Sequence, residues 1–179
     1  MTNRMRFYLT RMNHFDGALC VKVSHTSQYR LVRHWFRLMS RLGDGFFWYT
    51  LLFGILLMQG VAAWLPVLHI IATGLSGTLV YKWLKGKTLR PRPYQVLQDV
   101  WLTGKPLDYF SFPSGHTLHA ATFSCMILAY YPSLSILVIP FSIMVAMSRV
   151  VLGLHYPSDV FAGAVIGFVI SAISLVFIL

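Results

Sequence analysis

A chain of 179 residues that is 56% hydrophobic and only 11% charged is excluded from the ordinary soluble enzymes, where about a quarter of residues are charged, and is placed in a lipid bilayer. Fifteen Lys and Arg against five Asp and Glu leave a net charge of +10. Long uncharged apolar runs argue against nucleic acid as the partner of that charge and for anionic membrane lipids and phosphate-bearing ligands.

Residues 1–45 alternate basic and apolar side chains. Leu31, Trp35, Leu38 and Leu42 recur at helical spacing, with Arg30, Arg33, Arg37 and Arg41 on the opposite side. This pattern predicts an amphipathic helix lying in the interface of an anionic membrane, preceded by a basic segment (Arg4, Arg6, Arg11, Lys22) with no apolar core of a cleavable signal. Phe46 to Pro66 is the first predicted span, about 20 apolar residues with Trp48, Tyr49 and Trp64 at its ends. Leu65-Pro66-Val67 predicts a tight reversal into a second span, Val67 to Leu84, whose Gly74, Ser76, Gly77 and Thr78 permit close helix approach. His69, beside that reversal, reads as a hydrogen-bonded packing residue.

A long loop follows, from Lys85 to Gly115, and loops of this length are usually functional. Its first half is a cationic cluster in which Lys85 stands six residues before Arg92-Pro93. Its apolar middle (Val100, Trp101, Tyr109) is expected to pack at the interface over a lipid entry, and it ends in Pro113-Ser114-Gly115-His116. The third span, Thr117 to Tyr130, is short. Backbone N–H groups at its start are suited to an anion, with Gly115 allowing close approach, the Ser114 hydroxyl adding a donor and His116 standing beside it. His119 invites a metal reading with His116, which is rejected: Asp99 and Asp108 sit at no zinc-ligand spacing and the loop has no cysteine. Cys20 and Cys125 are too few for a disulfide framework.

Leu134 to Val151 is the fourth span, with a kink predicted at Pro140. The turn Ser148-Arg149…His155-Tyr156-Pro157-Ser158-Asp159 leads into the fifth, 159–179, where Gly163, Gly167 and Ser171 form a small-residue face. Pro157 suits the first helical position, and Asp159 the first turn. If the turn folds back, His155 and Asp159 meet as base and orienter beside the forked cation of Arg149; on these residues alone, interfacial anchoring by Arg149 and Asp159 is equally open. The crossings put the N-terminal segment, the long loop and this turn on one face, with all the acidic and basic residues on or near it, so one pocket can collect the three reactive stretches.

Lys85…Arg92-Pro93, Pro113-Ser114-Gly115-His116 and Ser148-Arg149…His155…Asp159, in this order and spacing, resemble the three signature motifs of the type 2 phosphatidic acid phosphatase superfamily, over roughly residues 46–179. The resemblance adds to the all-α, polytopic bundle read from the apolar runs, five transmembrane helices plus the N-terminal interfacial helix in two parts, 1–45 and 46–179. It differs in one respect: bacterial members often have six spans, whereas here the basic segment replaces the first. It implies a metal-independent hydrolase without cofactor that removes phosphate from a membrane lipid through a phosphohistidine. Its assignments are His155 as nucleophile, Asp159 as orienter and His116 as proton donor, with Lys85, Arg92, Ser114, Gly115 and Arg149 binding phosphate. Undecaprenyl pyrophosphate, phosphatidylglycerophosphate, phosphatidic acid and lipid A all suit such a pocket. The rivals are a non-catalytic lipid-phosphate binding or transport protein and a lipid phosphotransferase. The positive-inside rule places the charged face in the cytoplasm, whereas the family's habit in bacterial inner membranes is a periplasmic site, and the latter is adopted as the expectation. The sequence is silent on oligomeric state.

Overall fold

The computed structural model describes residues 3–106 and 108–178, and for residues 3–13 and 178 only the backbone course. The side chains of Arg4, Arg6 and Arg11 therefore lie outside the described residues. In chain order the helices are α1 (Asn3–Ser24), α2 (Arg30–Arg41), α3 (Phe47–Gln59), α4 (Trp64–Thr88), the short α5 (Pro93–Val96), α6 (Gly115–Tyr130), α7 (Ser135–Val151) and α8 (Pro157–Ile178). Among the described residues there is no strand.

Three stretches are long and apolar enough to cross a membrane: Arg30–Val96, Pro132–Val151 and Pro157–Phe177. The first has 67 residues, far more than one crossing needs at about 1.5 Å per residue. It is broken by two glycines in left-handed conformations, Gly45 (φ 125°) between α2 and α3, and Gly60 (φ 58°) between α3 and α4. The reversal thus falls at Gly60–Ala63, not at the predicted Leu65-Pro66-Val67. Pro66 instead lies in the first turn of α4, where a missing N–H leaves no bond unmade.

The interior is built from Trp48, Leu52, Ile70, Met126, Ile127 and Val138. Large apolar side chains also face outward, among them Phe53 (60% exposed), Leu79 (71%) and Phe161 (72%), a distribution suited to lipid rather than water. The chain is a membrane protein. α6 packs against α4, α7 and α8. On α8 a Cβ at Gly163 would lie 2.5 Å from the Ser114 carbonyl oxygen, and one at Gly167 2.5 Å from that of Leu118. The backbones of α6 and α8 therefore touch, which fixes the start of α6 against the start of α8. α7 stays helical through Pro140. His69 is bonded to Tyr130 Oη (2.6 Å) and Ser174 Oγ (2.7 Å), a satisfied packing histidine.

α4 continues one turn past the expected end, to Thr88, and stops where Leu89 turns left-handed (φ 47°) ahead of Pro91. Lys85 is therefore held on a helix rather than on the loop. In that loop, Val100 is buried with Cys20, Val150 and Tyr156, while Trp101 and Tyr109 are exposed.

Candidate active site

Lys85 and Arg92 approach from the α4–α5 region, His116 from the first turn of α6, Arg149 from the last turn of α7, and His155 from the turn before α8. All five line one cavity of about 230 Å³, with Gly115 also in its wall. The turn 152–156 takes its shape from Arg149, whose carbonyl accepts both the Leu154 and His155 N–H (3.0 Å each). Gly153 (φ 71°) makes this possible; a Cβ there would meet the Trp101 carbonyl oxygen at 2.9 Å.

Arg92 donates to the Leu154 carbonyl (2.8 Å) and, at 3.4 Å, to His155 Nε2. A guanidinium can only donate, so Nε2 of His155 carries a lone pair and its proton sits on Nδ1. That atom is 3.7 Å from Asp159 Oδ2, beyond hydrogen-bonding distance, and is buried without a partner. Asp159 is instead bound by the Tyr156 N–H (2.9 Å, Oδ2) and by Arg90 (2.7 Å, Oδ1). The first of these is the acidic half of a capping box at the start of α8. The expected base-and-orienter pair is thus adjacent but not closed.

Ser114 is fully buried. Its hydroxyl bonds Thr117 Oγ1 (3.0 Å) and its N–H bonds the Asp159 carbonyl (3.1 Å), so it stands behind the cavity wall with Asp159, whereas Gly115 faces in. Arg149 is buried, bonded through Nη1 to Ser40 Oγ, and its Nε has no partner. His119 bonds the Gly115 carbonyl and Thr78 (2.9 Å each), a core histidine at the cavity's edge. Among the described residues no cluster of three or more His, Cys, Asp or Glu is placed to hold a metal ion.

Four further polar residues complete the site, and motif reading passed over them. Asp44, in the Gly-Asp-Gly break between α2 and α3, hydrogen-bonds His116 Nε2. Asp108 bridges Lys85 (2.6 Å) and Arg92 (2.7 Å). Arg90 links Asp159 to Asp16 of α1 (2.7 Å) and to Ser158 (2.8 Å). Asp16 also accepts the Ser158 N–H (3.0 Å). The one available signal was scarcity: in a chain of five acids beside reactive cations, each carboxylate needs a partner.

Burial, then the cations Arg149, Arg92 and Lys85, push His155 well below the ordinary histidine range. Burial and Arg149 push His116 down to about 4 against the opposing pull of Asp44. Asp108 is held below the usual carboxylate value: its burial opposes charge, and its bonds to Lys85 and Arg92 outweigh that. The pocket therefore presents a neutral nucleophilic nitrogen among three cations, an arrangement suited to an incoming phosphate dianion.

A family model described as the PAP2 superfamily matches residues 62–179. The undecaprenyl-diphosphatase of Sulfolobus acidocaldarius is 40% identical over 86 residues, 47% of this chain and 41% of that protein. The lipid A 1-phosphatase of Rhizobium etli is 40% identical over 57 residues, 32% of this chain and 25% of that protein. The matched segments thus span less than half of either relative. Among solved structures, Aquifex aeolicus LpxE superposes with a TM-score of 0.75 at 29% identity, covering 88% of this chain and 93% of that one. The PAP2-type phosphatidylglycerolphosphate phosphatase of Bacillus subtilis gives a TM-score of 0.73 at 24% identity, covering 93% and 86%; the latter likeness is one of fold.

Proposed function

The chain belongs to the PAP2 superfamily, and on that premise we propose that it is an integral-membrane phosphatase that removes phosphate from a lipid monoester or diphosphate through a phosphohistidine. The observation that carries this is the single cavity into which Lys85, Arg92, Arg149, His116 and His155 all project. The names of the relatives support a lipid substrate.

In the first step the His155 Nε2 lone pair forms a bond to phosphorus as the bond to the lipid oxygen breaks, and His116, whose Nε2 is bonded to Asp44, gives the proton on its other ring nitrogen to that oxygen. Lys85, Arg92, Arg149 and the N–H groups at the start of α6 take the charge on the non-bridging oxygens. Asp159 steadies the positive imidazole from the Nδ1 side. In the second step His116 accepts a proton from water, the oxygen attacks phosphorus, and the N–P bond breaks to release phosphate and neutral His155. His116 is neutral in the empty pocket, so its proton is held only while Asp44 and a bound phosphate dianion offset Arg149. Ser114 acts from behind, fixing the start of α6.

The proposed topology has five crossings (α3, α4, α6, α7 and α8). α2 lies in the interface, where its exposed Leu31, Trp35 and Leu38 meet acyl chains and its arginines meet anionic headgroups. The site opens on the periplasmic face of an inner membrane. Phosphate release from a panel of undecaprenyl pyrophosphate, phosphatidylglycerophosphate, phosphatidic acid and lipid A by detergent-solubilised protein tests the reading. Release of phosphate from at least one lipid, abolished by His155→Ala, is expected; a folded protein that binds these lipids and releases none from any of them overturns it.

A further inference from the structure

A second cavity, of about 620 Å³, lies beside the first, and Asp44 lines both. Its other walls include Arg37 and Arg41, one turn apart on α2, Lys105 of the long loop, Ser40 and Thr103. The dividing wall is polar: Ser40 in the second cavity accepts a hydrogen bond from Arg149 in the first, and Asp44 bonds His116.

Among the described residues no carboxylate lies within ion-pairing distance of the three cations, although Asp44 shares the cavity wall with them. Asp16 and Asp159 face Arg90, Asp108 faces Lys85 and Arg92, and Asp44 faces His116. Among the described residues, Arg37, Arg41 and Lys105 form no ion pair. Arg37 is anchored through Nε to the Thr103 carbonyl (2.5 Å), which leaves the rest of its guanidinium fork for a ligand, while Arg41 and Lys105 are exposed. Thr103, 8% exposed, has a buried hydroxyl with no partner. Three cations lining one concavity repel one another, and an anion bound there relieves that repulsion.

We propose that this cavity is a second anion site, which holds a further phosphate group on the headgroup of the lipid whose terminal phosphoryl occupies the first cavity. The inference rests on the lipid-phosphatase reading and narrows its substrate class to lipids with two separated anionic groups. The shared wall favours the substrate's own second anion over a neighbouring lipid's, because a tethered group binds at high effective concentration.

The test is equilibrium binding to the full-length His155→Ala protein in non-ionic micelles, which needs no turnover. The probes are phosphatidic acid, with one phosphate, and phosphatidylglycerophosphate, with a phosphodiester one glycerol away from its terminal phosphate. The expected result is at least about tenfold tighter binding of the second lipid, a preference lost in the Arg41→Gln/Lys105→Gln variant. Equal affinity for the two lipids, or a preference that survives the double substitution, overturns the proposal. Excess phosphatidylglycerol in the micelles separates the two sources of the anion: the preference is expected to persist, and its disappearance assigns the cavity to a bystander headgroup and also overturns the proposal. Failure of the phosphatase reading shows elsewhere, as absence of phosphate release by the wild-type protein.

Discussion

Replacing Arg90 with Met removes a cation that touches no substrate yet ties α1 to the turn carrying His155. Its Nη1 is 2.7 Å from Asp159 Oδ1 and its Nη2 is 2.7 Å from Asp16 Oδ2. Asp159 is fully buried, while the Arg90 side chain is 22% exposed. Removing one partner of a buried pair costs about 3–5 kcal/mol because the other charge is left uncompensated; the partial exposure of Arg90 places the expected loss near the lower end. At about 2–4 °C per kcal/mol for a chain of this size, the melting temperature falls by about 6 °C or more. The Asp159 carboxylate keeps the Tyr156 N–H but loses its hold on the Oδ1 side, so the support behind His155 loosens. A misplacement on the 1 Å scale lowers turnover about 100-fold. KM stays within about threefold, since Lys85, Arg92 and Arg149 are untouched. Arg90→Lys, which reaches one carboxylate but not both, falls between the two. Thermal unfolding in detergent and phosphate-release kinetics read both quantities. A melting temperature that falls while kcat stays at the wild-type value refutes the claim that Arg90 acts on the nucleophile through Asp159.

Asp108 occupies the two cations that the phosphate needs, so Asp108→Asn is expected to tighten inhibition by inorganic phosphate severalfold; weaker inhibition contradicts this. Asp44 is the group that raises the proton affinity of His116. In Asp44→Asn the basic limb of kcat moves to lower pH, and turnover drops for lipids with alkoxide leaving groups but little for p-nitrophenyl phosphate, which leaves without a proton; an equal effect on both substrates removes Asp44 from this role. Gly163→Ala places a methyl 2.5 Å from the Ser114 carbonyl oxygen, where no flexible side chain can yield. It is expected to cost about 1–3 kcal/mol and to raise KM by displacing the start of α6, measured by unfolding and by kinetics.

The sequence and the structure agree where chemistry or hydropathy constrains a short stretch. Lys85, Arg92, Gly115, His116, Arg149 and His155 stand at the motif spacings read in the sequence, and they share one cavity; Pro157 opens α8 as its fixed φ requires. The reversal at Gly60 was not legible, because Pro66 is the stronger turn signal in sequence and only the backbone shows it absorbed into α4. The apolar run likewise ends at Leu84, where Lys85-Gly86-Lys87 begins, and hydropathy alone does not show that α4 runs on to Thr88 and carries Lys85. Asp16, Ser40 and Asp44 reach the site across more than seventy positions of sequence. Such contacts depend on how α1 and α2 fold back, which a basic amphipathic pattern does not encode. The open His155–Asp159 pair was illegible for the same reason, since Arg90 and the Tyr156 N–H compete for the carboxylate.

The central claim is that His155 takes the phosphoryl group from the lipid. Acid destroys a phosphoramidate, so the direct measurement is rapid quenching at alkaline pH of the His116→Ala protein with a lipid diphosphate carrying labelled terminal phosphate, whose phosphate leaving group needs no added proton, followed by peptide mapping. Without the proton donor and water activator, release slows, and the label is expected on the peptide containing His155, absent when His155 is also replaced by Ala. Label on another residue, or hydrolysis of the lipid by this variant with no labelled peptide at any time point, contradicts the account.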